Sequence, residues 1–185
     1  DAYETARAVA ACIDYPGPVY IRIGRGFEPP MHKSMDFDFE IGKAIRLRDG
    51  RDLTIIATGV CVLQALEAAE RAAQNGVSVR VLDMHTIKPL DEDAVREALL
   101  DTRRIVTVED HTVIGGLGDA VADVIARTGK GCAFKKLGYQ DCFAMVGYYE
   151  DLLHNYGLDA DGITDAIAQV LKAEFEQDED WEDEI

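Results

Sequence analysis

Short β-branched runs alternate with amphipathic helical stretches along most of this chain, and that alternation constrains its fold more than any other feature. "FEIGKAIRLR" and "LTIIAT" flank Asp49-Gly50, a hairpin signal, so an antiparallel edge pair is expected to open the unit. A helix over 61–75 follows, with Val62, Leu66, Ala69 and Ala73 on one face. "VSVRVLD" (77–83) reads as a strand, and 91–100 as a helix whose three leading acids suit its N-terminus. Next come a strand at 104–109, a helix at 116–127 and a strand at 133–138. A short helix near 148–155 precedes the last, 160–173, which buries Ile163, Ile167, Val170 and Leu171. Strands alternating with helices predict a mainly parallel sheet covered on both faces. Right-handed crossovers make this a doubly wound three-layer α/β/α sandwich with an antiparallel edge strand.

The first 26 residues do not fit that unit. Thr5, Val9, Cys12 and Ile13 trace one helical face, Tyr15-Pro16-Gly17-Pro18 stops it, and Val19 to Ile23 has strand character. One helix and one strand cannot bury each other, so residues 1–26 read as the remnant of a neighbouring domain. The chain opens without Met, as if inside a helix, and so reads as a piece of a longer protein. Residues 27–38, with two prolines and no periodicity, read as a linker, and 39–173 as the α/β domain.

Net charge is −16, but the tail 174–185 holds eight acids and no base, so half of the excess is local. Such a tail repels itself and stays solvated, and is expected to be disordered. The mildly acidic body disfavours nucleic acid and anionic membranes as partners. No apolar run approaches the ~20 residues of a membrane span. The four cysteines, 12, 61, 132 and 142, form no CxxC pair and read as buried free thiols of a cytoplasmic protein. The four histidines show no zinc spacing, and no metal site is expected.

In open α/β sheets chemistry gathers at the C-terminal ends of the parallel strands, and three such ends stand out. In "VEDHTVIGGLG" (108–118), strand alternation puts Glu109 and His111 on one side, a pair able to act as general acid and base. No nucleophile or third orienting group accompanies it. Gly115, Gly116 and Gly118 either expose amides to an anion at a helix start or let that helix pack close to its strand. The G-x-G-x-x-G spacing of a dinucleotide loop is absent. In "ATGVC", Thr58 before Gly59 reads as a helix N-cap or as part of an anion site. In "MHTIKPLD", His85 and Lys88 either meet a phosphate or partner domain or occupy an exposed turn. Arg25, between Gly24 and Gly26, presents an accessible guanidinium suited to phosphate or carboxylate.

Five segments occur together in a fixed order: "GPVYIRIGRG", "DLTIIATGV", "VRVLDMHTIKPLD", "IVTVEDHTVIGGLGDAVA" and "YGLDADGI". In this the chain resembles the C-terminal part of transketolase, particularly the split-subunit type, from Asp1 to about Lys172. Deoxyxylulose-phosphate synthase and the β subunits of 2-oxo-acid dehydrogenases, related thiamine enzymes, match "MHTIKPLD" only at its "PLD" end. The resemblance implies that residues 1–26 are the last helix and strand of a pyrimidine-binding domain and 39–173 a C-terminal domain. It implies transfer of a two-carbon ketol unit between sugar phosphates by a complete enzyme using thiamine diphosphate and Mg2+ or another divalent cation. The groups that hold cofactor and metal, and the catalytic histidines, belong to the family's earlier domains, so this part would be architectural, with regulatory ligand binding suspected, and inactive alone. Its partners would be the catalytic N-terminal domains or subunit, with a homodimer as the assembly. Arg25 would contact the sugar-phosphate group. A stand-alone module binding a small anion near Thr58, His85 and Gly115–Gly118 is the rival class.

Overall fold

A computed structural model describes residues 1–24 and 29–173. Five strands form one sheet: β1 (Ile45–Arg48), β2 (Leu53–Ala57), β3 (Val79–Asp83), β4 (Arg104–Thr112) and β5 (Ala133–Tyr139). Their order is β1-β3-β2-β4-β5, with β1 antiparallel to β3 and every other pairing parallel. Helices α2 (Cys61–Gln74) and α6 (Ala160–Leu171) cover one face. Helices α3 (Glu92–Thr102) and α4 (Leu117–Thr128) cover the other. Helix α1 (Ala2–Ile13) precedes the sheet, and α5 (Tyr149–Asn155) leads into α6. The expected three-layer sandwich with one antiparallel edge strand is what forms.

Burial explains the strand order. All five residues of β2 and all five of β3 are buried, as strands covered on both faces must be. Each buried Leu or Ile side chain there contributes about 1.5–3 kcal/mol. The strand β1, with Arg46 and Arg48, is only partly covered and takes the edge.

The Asp49-Gly50 hairpin does not form. β1 pairs with β3 rather than β2, because the 49–52 segment crosses the start of β3. The Arg51 and Asp52 amides both donate to the Ser78 carbonyl, and the Asp52 carboxylate accepts the Ser78 amide at 2.7 Å. Gly50 is required there, since a Cβ would stand 2.1 Å from the Arg80 nitrogen. The buried face of α2 also differs from the expected stripe. Cys61, Val62, Ala65, Ala68, Ala69 and Ala72 form it, while Leu66 is half-buried and Ala73 exposed. Alanines let α2 approach α6 and the sheet closely.

Helix α1 has no buried residue. Asp1 caps it through the Glu4 amide and holds the Met31 and His32 amides at 2.7 Å. Residues 19–23 form no ladder, and Val19, Tyr20, Ile21 and Ile23 are exposed. A strand has to pair along its edge, and no described strand lies alongside this segment.

Candidate functional site

The strand order reverses between β2 and β4, since β3 lies beyond one and β5 beyond the other. Thr58-Gly59 leaves β2 at this point, and Glu109 to Gly118 leaves β4.

β4 widens here. Val108 pairs with Leu137 and Thr112 with Tyr139, so four steps along β4 oppose two along β5. Such a bulge re-aims side chains. Gly138 permits it, because a Cβ there would lie 2.7 Å from the His111 carbonyl oxygen. Glu109 and His111 do share a side, with Nδ1 of His111 3.8 Å from a Glu109 oxygen. Their surroundings are opposite: Glu109 is fully buried and His111 half exposed.

The buried Glu109 carboxylate accepts the Leu117 amide at 2.7 Å and the Gly118 amide at 2.8 Å. These amides open α4, where free N–H groups and the helix dipole favour a negative charge. The anion at the glycine-rich helix start is thus the protein's own carboxylate. A Cβ on Gly116 would lie 2.0 Å from a Glu109 oxygen, and one on Gly118 would meet the Lys136 side chain at 2.6 Å. Gly115 takes a left-handed backbone (φ 73°). These contacts agree with the close-packing reading of the glycines, and the Glu109 carboxylate takes the Leu117 and Gly118 amides. His111 points Nδ1 at the Thr112 carbonyl, 2.9 Å away.

Lys136 and Asp119, which sequence reasoning missed, close the loop. Lys136 Nζ reaches the Val113 carbonyl at 3.1 Å and Asp119 at 2.5 Å, while Asp119 accepts the Gly115 amide at 2.6 Å. The Gly115 amide and then Lys136 hold Asp119 below the usual carboxylate range. No local pattern marks Lys136, whose role exists only where the edge strand β5 lies against β4.

On the other side of β4, Asp110 accepts the Tyr139 hydroxyl at 2.9 Å and Arg22 at 3.3 Å. Burial, then the bond to Asp110, pushes Tyr139 above its ordinary range. Tyr139 packs edge-on against Tyr156, whose hydroxyl accepts the Met145 amide at 2.8 Å. Arg22 of the leading segment thereby joins a polar chain running to the loop before α5.

Thr58 does not cap α2. Val60 occupies the cap position, and the Thr58 amide donates to the Val108 carbonyl at 3.2 Å. Gly59, with φ 58°, supplies the turn that displaces the helix start to Cys61. The remaining candidates lie across β2. His85 follows β3, stacks on Phe39 at 4.1 Å and directs Nδ1 to the Thr86 hydroxyl. Burial lowers its pKa. Lys88 is exposed beyond it. His85 and Lys88 thus follow β3, on the other side of β2 from the strand that feeds the glycine loop. Arg25 and the acidic tail 174–185 lie outside the described residues.

Two further expectations need adjustment. Cys61 is buried, but Cys12 and Cys132 are half-buried and Cys142 is exposed. Among the described residues one metal-ligand-like group occurs, His154, Asp159 and Asp161. Its members are already engaged: His154 meets Asp159 at 2.7 Å, Asp159 caps α6, and Asp161 pairs with Arg71. With Glu109 in the glycine loop and this cluster committed to ion pairs, neither a diphosphate nor its metal fits the residues described. No described helix is long and apolar enough to cross a membrane.

Residues 42–163 match the family model of the transketolase C-terminal domain. A putative transketolase C-terminal section of Methanocaldococcus jannaschii is 42% identical over 94% of this chain and 54% of its own length. One of the subunits of an apulose-4-phosphate transketolase from Phocaeicola vulgatus is 40% identical over 93% of this chain and 54% of its own. The chain thus spans about half the length of these relatives. A 1-deoxy-D-xylulose-5-phosphate synthase of Heliobacterium modesticaldum also matches, at 30% identity. A solved split-gene transketolase, described as an inactive beta4 tetramer, superposes with a TM-score of 0.86 at 38% identity, over 92% of this chain and 55% of that one.

Proposed function

The chain belongs to the transketolase family through its C-terminal domain, and on that premise we propose that it is the C-terminal part of an enzyme moving a two-carbon ketol unit between sugar phosphates. The observation that carries this reading is the likeness to split transketolase subunits across more than nine-tenths of the chain. Deoxyxylulose-phosphate synthases match at lower identity, so the synthase-like alternative ranks below it.

Thiamine diphosphate and a divalent cation such as Mg2+ are supplied with the other half of the enzyme. No cluster of described residues here fits them, and no catalytic step is assigned to this chain. Its role is architectural. The leading segment, up to residue 26, belongs to the end of the pyrimidine-binding domain, 27–38 is the linker and 39–173 the C-terminal domain. Arg25 completes a sugar-phosphate contact when that domain is whole. The assembled enzyme is a dimer in the cytoplasm, and a pentose-phosphate route is the setting that fits.

The face that meets the catalytic half is exposed and apolar. Val19, Tyr20, Ile21 and Ile23 lie in the leading segment, and Phe143, Met145, Val146 and Tyr148 before α5. Phe143 and Val146 are fully exposed, an arrangement that marks interaction sites on soluble proteins. The Arg22–Asp110–Tyr139–Tyr156 chain joins the two segments. Co-expression with the cofactor-carrying half is the test. A stable complex should form with the native chain and weaken at least tenfold in Phe143→Asp, about 1.4 kcal/mol. Equal affinity for both would remove this face from the proposal.

A further inference from the structure

We propose that Asp110 is a positioning residue: it holds Arg22 on one carboxylate oxygen and Tyr139 on the other, and so presents the leading segment and residues 141–148 as one surface. The inference rests on the reading that this surface meets the cofactor-carrying half. Residues 16–24 are exposed throughout. Among the described residues no backbone hydrogen bond ties them to the sheet domain. The side-chain bond that does so runs from Arg22 Nη2 to Asp110 Oδ2 at 3.3 Å. Side chains alternate along β4. Glu109 and His111 face the start of α4, so Asp110 points to the opposite side, where β5 offers Tyr139.

An ion pair between side chains 57% and 24% exposed contributes little by itself, because water screens both charges and the arginine gives up its rotamers. What makes this pair directional is the far side of the carboxylate. Oδ1 accepts the Tyr139 hydroxyl at 2.9 Å. Tyr139 packs against the core under α2 and α6 and edge-on against Tyr156, with ring centroids 4.7 Å apart. Tyr156 in turn accepts the Met145 amide at 2.8 Å, within the run that exposes Phe143 and Val146. Burial, then the bond to Asp110, raises the Tyr139 hydroxyl above its ordinary range, so it keeps its proton and stays a donor. The half-buried ring thus aims the carboxylate, and the carboxylate fixes Arg22.

A surface ordered before it binds loses less conformational freedom on association. Releasing Arg22 leaves both apolar segments exposed but uncouples them. The signature is weaker assembly with unchanged folding, whereas a residue that only supported the fold would lower stability as well.

The test is a double-mutant cycle in the whole chain, Arg22→Ala against Asp110→Asn, with two readouts. Amide 15N relaxation of residues 19–23 reports the pin itself. Each single variant should increase the fast motion of this segment, and the double variant should add nothing further. Arg22→Lys, which keeps the charge, should retain most of the native order. Affinity for the cofactor-carrying half reports the consequence. It should fall about fivefold, or about 1 kcal/mol, in each single variant and no further in the double, with urea unfolding unchanged. Arg22 is largely exposed, so its variants test the contact even where Asp110→Asn fails to fold. Unchanged motion in Arg22→Ala or in Tyr139→Phe overturns the pin. A loosened segment with unmoved affinity overturns the positioning role. A native chain that does not bind that half at all overturns the functional reading and the positioning role with it, while relaxation still decides the pin.

Discussion

The Glu109 carboxylate lies 2.7 Å from the Leu117 amide, so the acid that ends the core of β4 caps the helix that β4 feeds. Strand, turn and helix are locked by one buried charge, and Gly116 is the residue that lets it approach.

That relationship makes Glu109 a stability residue. Glu109→Ala should cost about 2–4 kcal/mol in urea unfolding, because two buried amides lose a charged acceptor. Gly116→Ala should cost about 1–3 kcal/mol through overpacking against the same carboxyl. Since both act on one contact, the double variant should lose less than the sum. Additive losses would show that the two residues act independently.

His111 gives the complementary expectation. Half exposed and bonded to the Thr112 carbonyl, it lies outside the buried part of the cap. In the enzyme assembled with its cofactor-carrying half, His111→Ala should change kcat less than about tenfold, whereas loss of a general acid or base costs about 10²–10⁴. A loss in the latter range would restore Glu109 and His111 as a catalytic pair.

The histidines should separate by NMR titration. His154 is raised by its hydrogen bond to Asp159, so it should titrate above 6.5, while the buried His32 and His85 should titrate below it. The His154–Asp159 contact is thus fully present below pH 6.5 and is lost as pH rises through the raised value. Asp159→Asn should return His154 toward its ordinary value. A His154 titration unmoved by that change would assign the shift elsewhere.

Thiol reactivity gives a further check. Cys142 is exposed and should react first with an aromatic disulfide reagent at about pH 8. Burial pushes Cys132 up to about 11 and Cys61 higher still, so Cys61 should react only on unfolding. A fast-reacting Cys61 would mean that α2 opens readily.

Within the sheet domain the layers and the element types were legible in the sequence because periodicity reports burial, and burial decides both; the strand expected at 19–23 did not form. Strand pairing was not. Asp49-Gly50 announces a turn, but which strand it delivers to which neighbour depends on β2 and β3 both needing cover on two faces, a property of the whole sheet. The site divided along the same line. Alternation correctly put Glu109 and His111 together, yet no local pattern says that one is sealed inside and the other left in water. Thr58 looked like a cap because its residue type favours one, while Gly59 moved the helix start two residues onward. Lys136 and Gly138 were invisible for the same reason, since their roles exist only against β4.

The central claim is that this chain is the architectural half of a ketol-transferring enzyme. The most direct measurement is ketol transfer between sugar phosphates, with thiamine diphosphate and Mg2+, by the chain alone and mixed with its cofactor-carrying half. The account predicts no turnover alone and turnover on mixing. Turnover by the chain alone would contradict it.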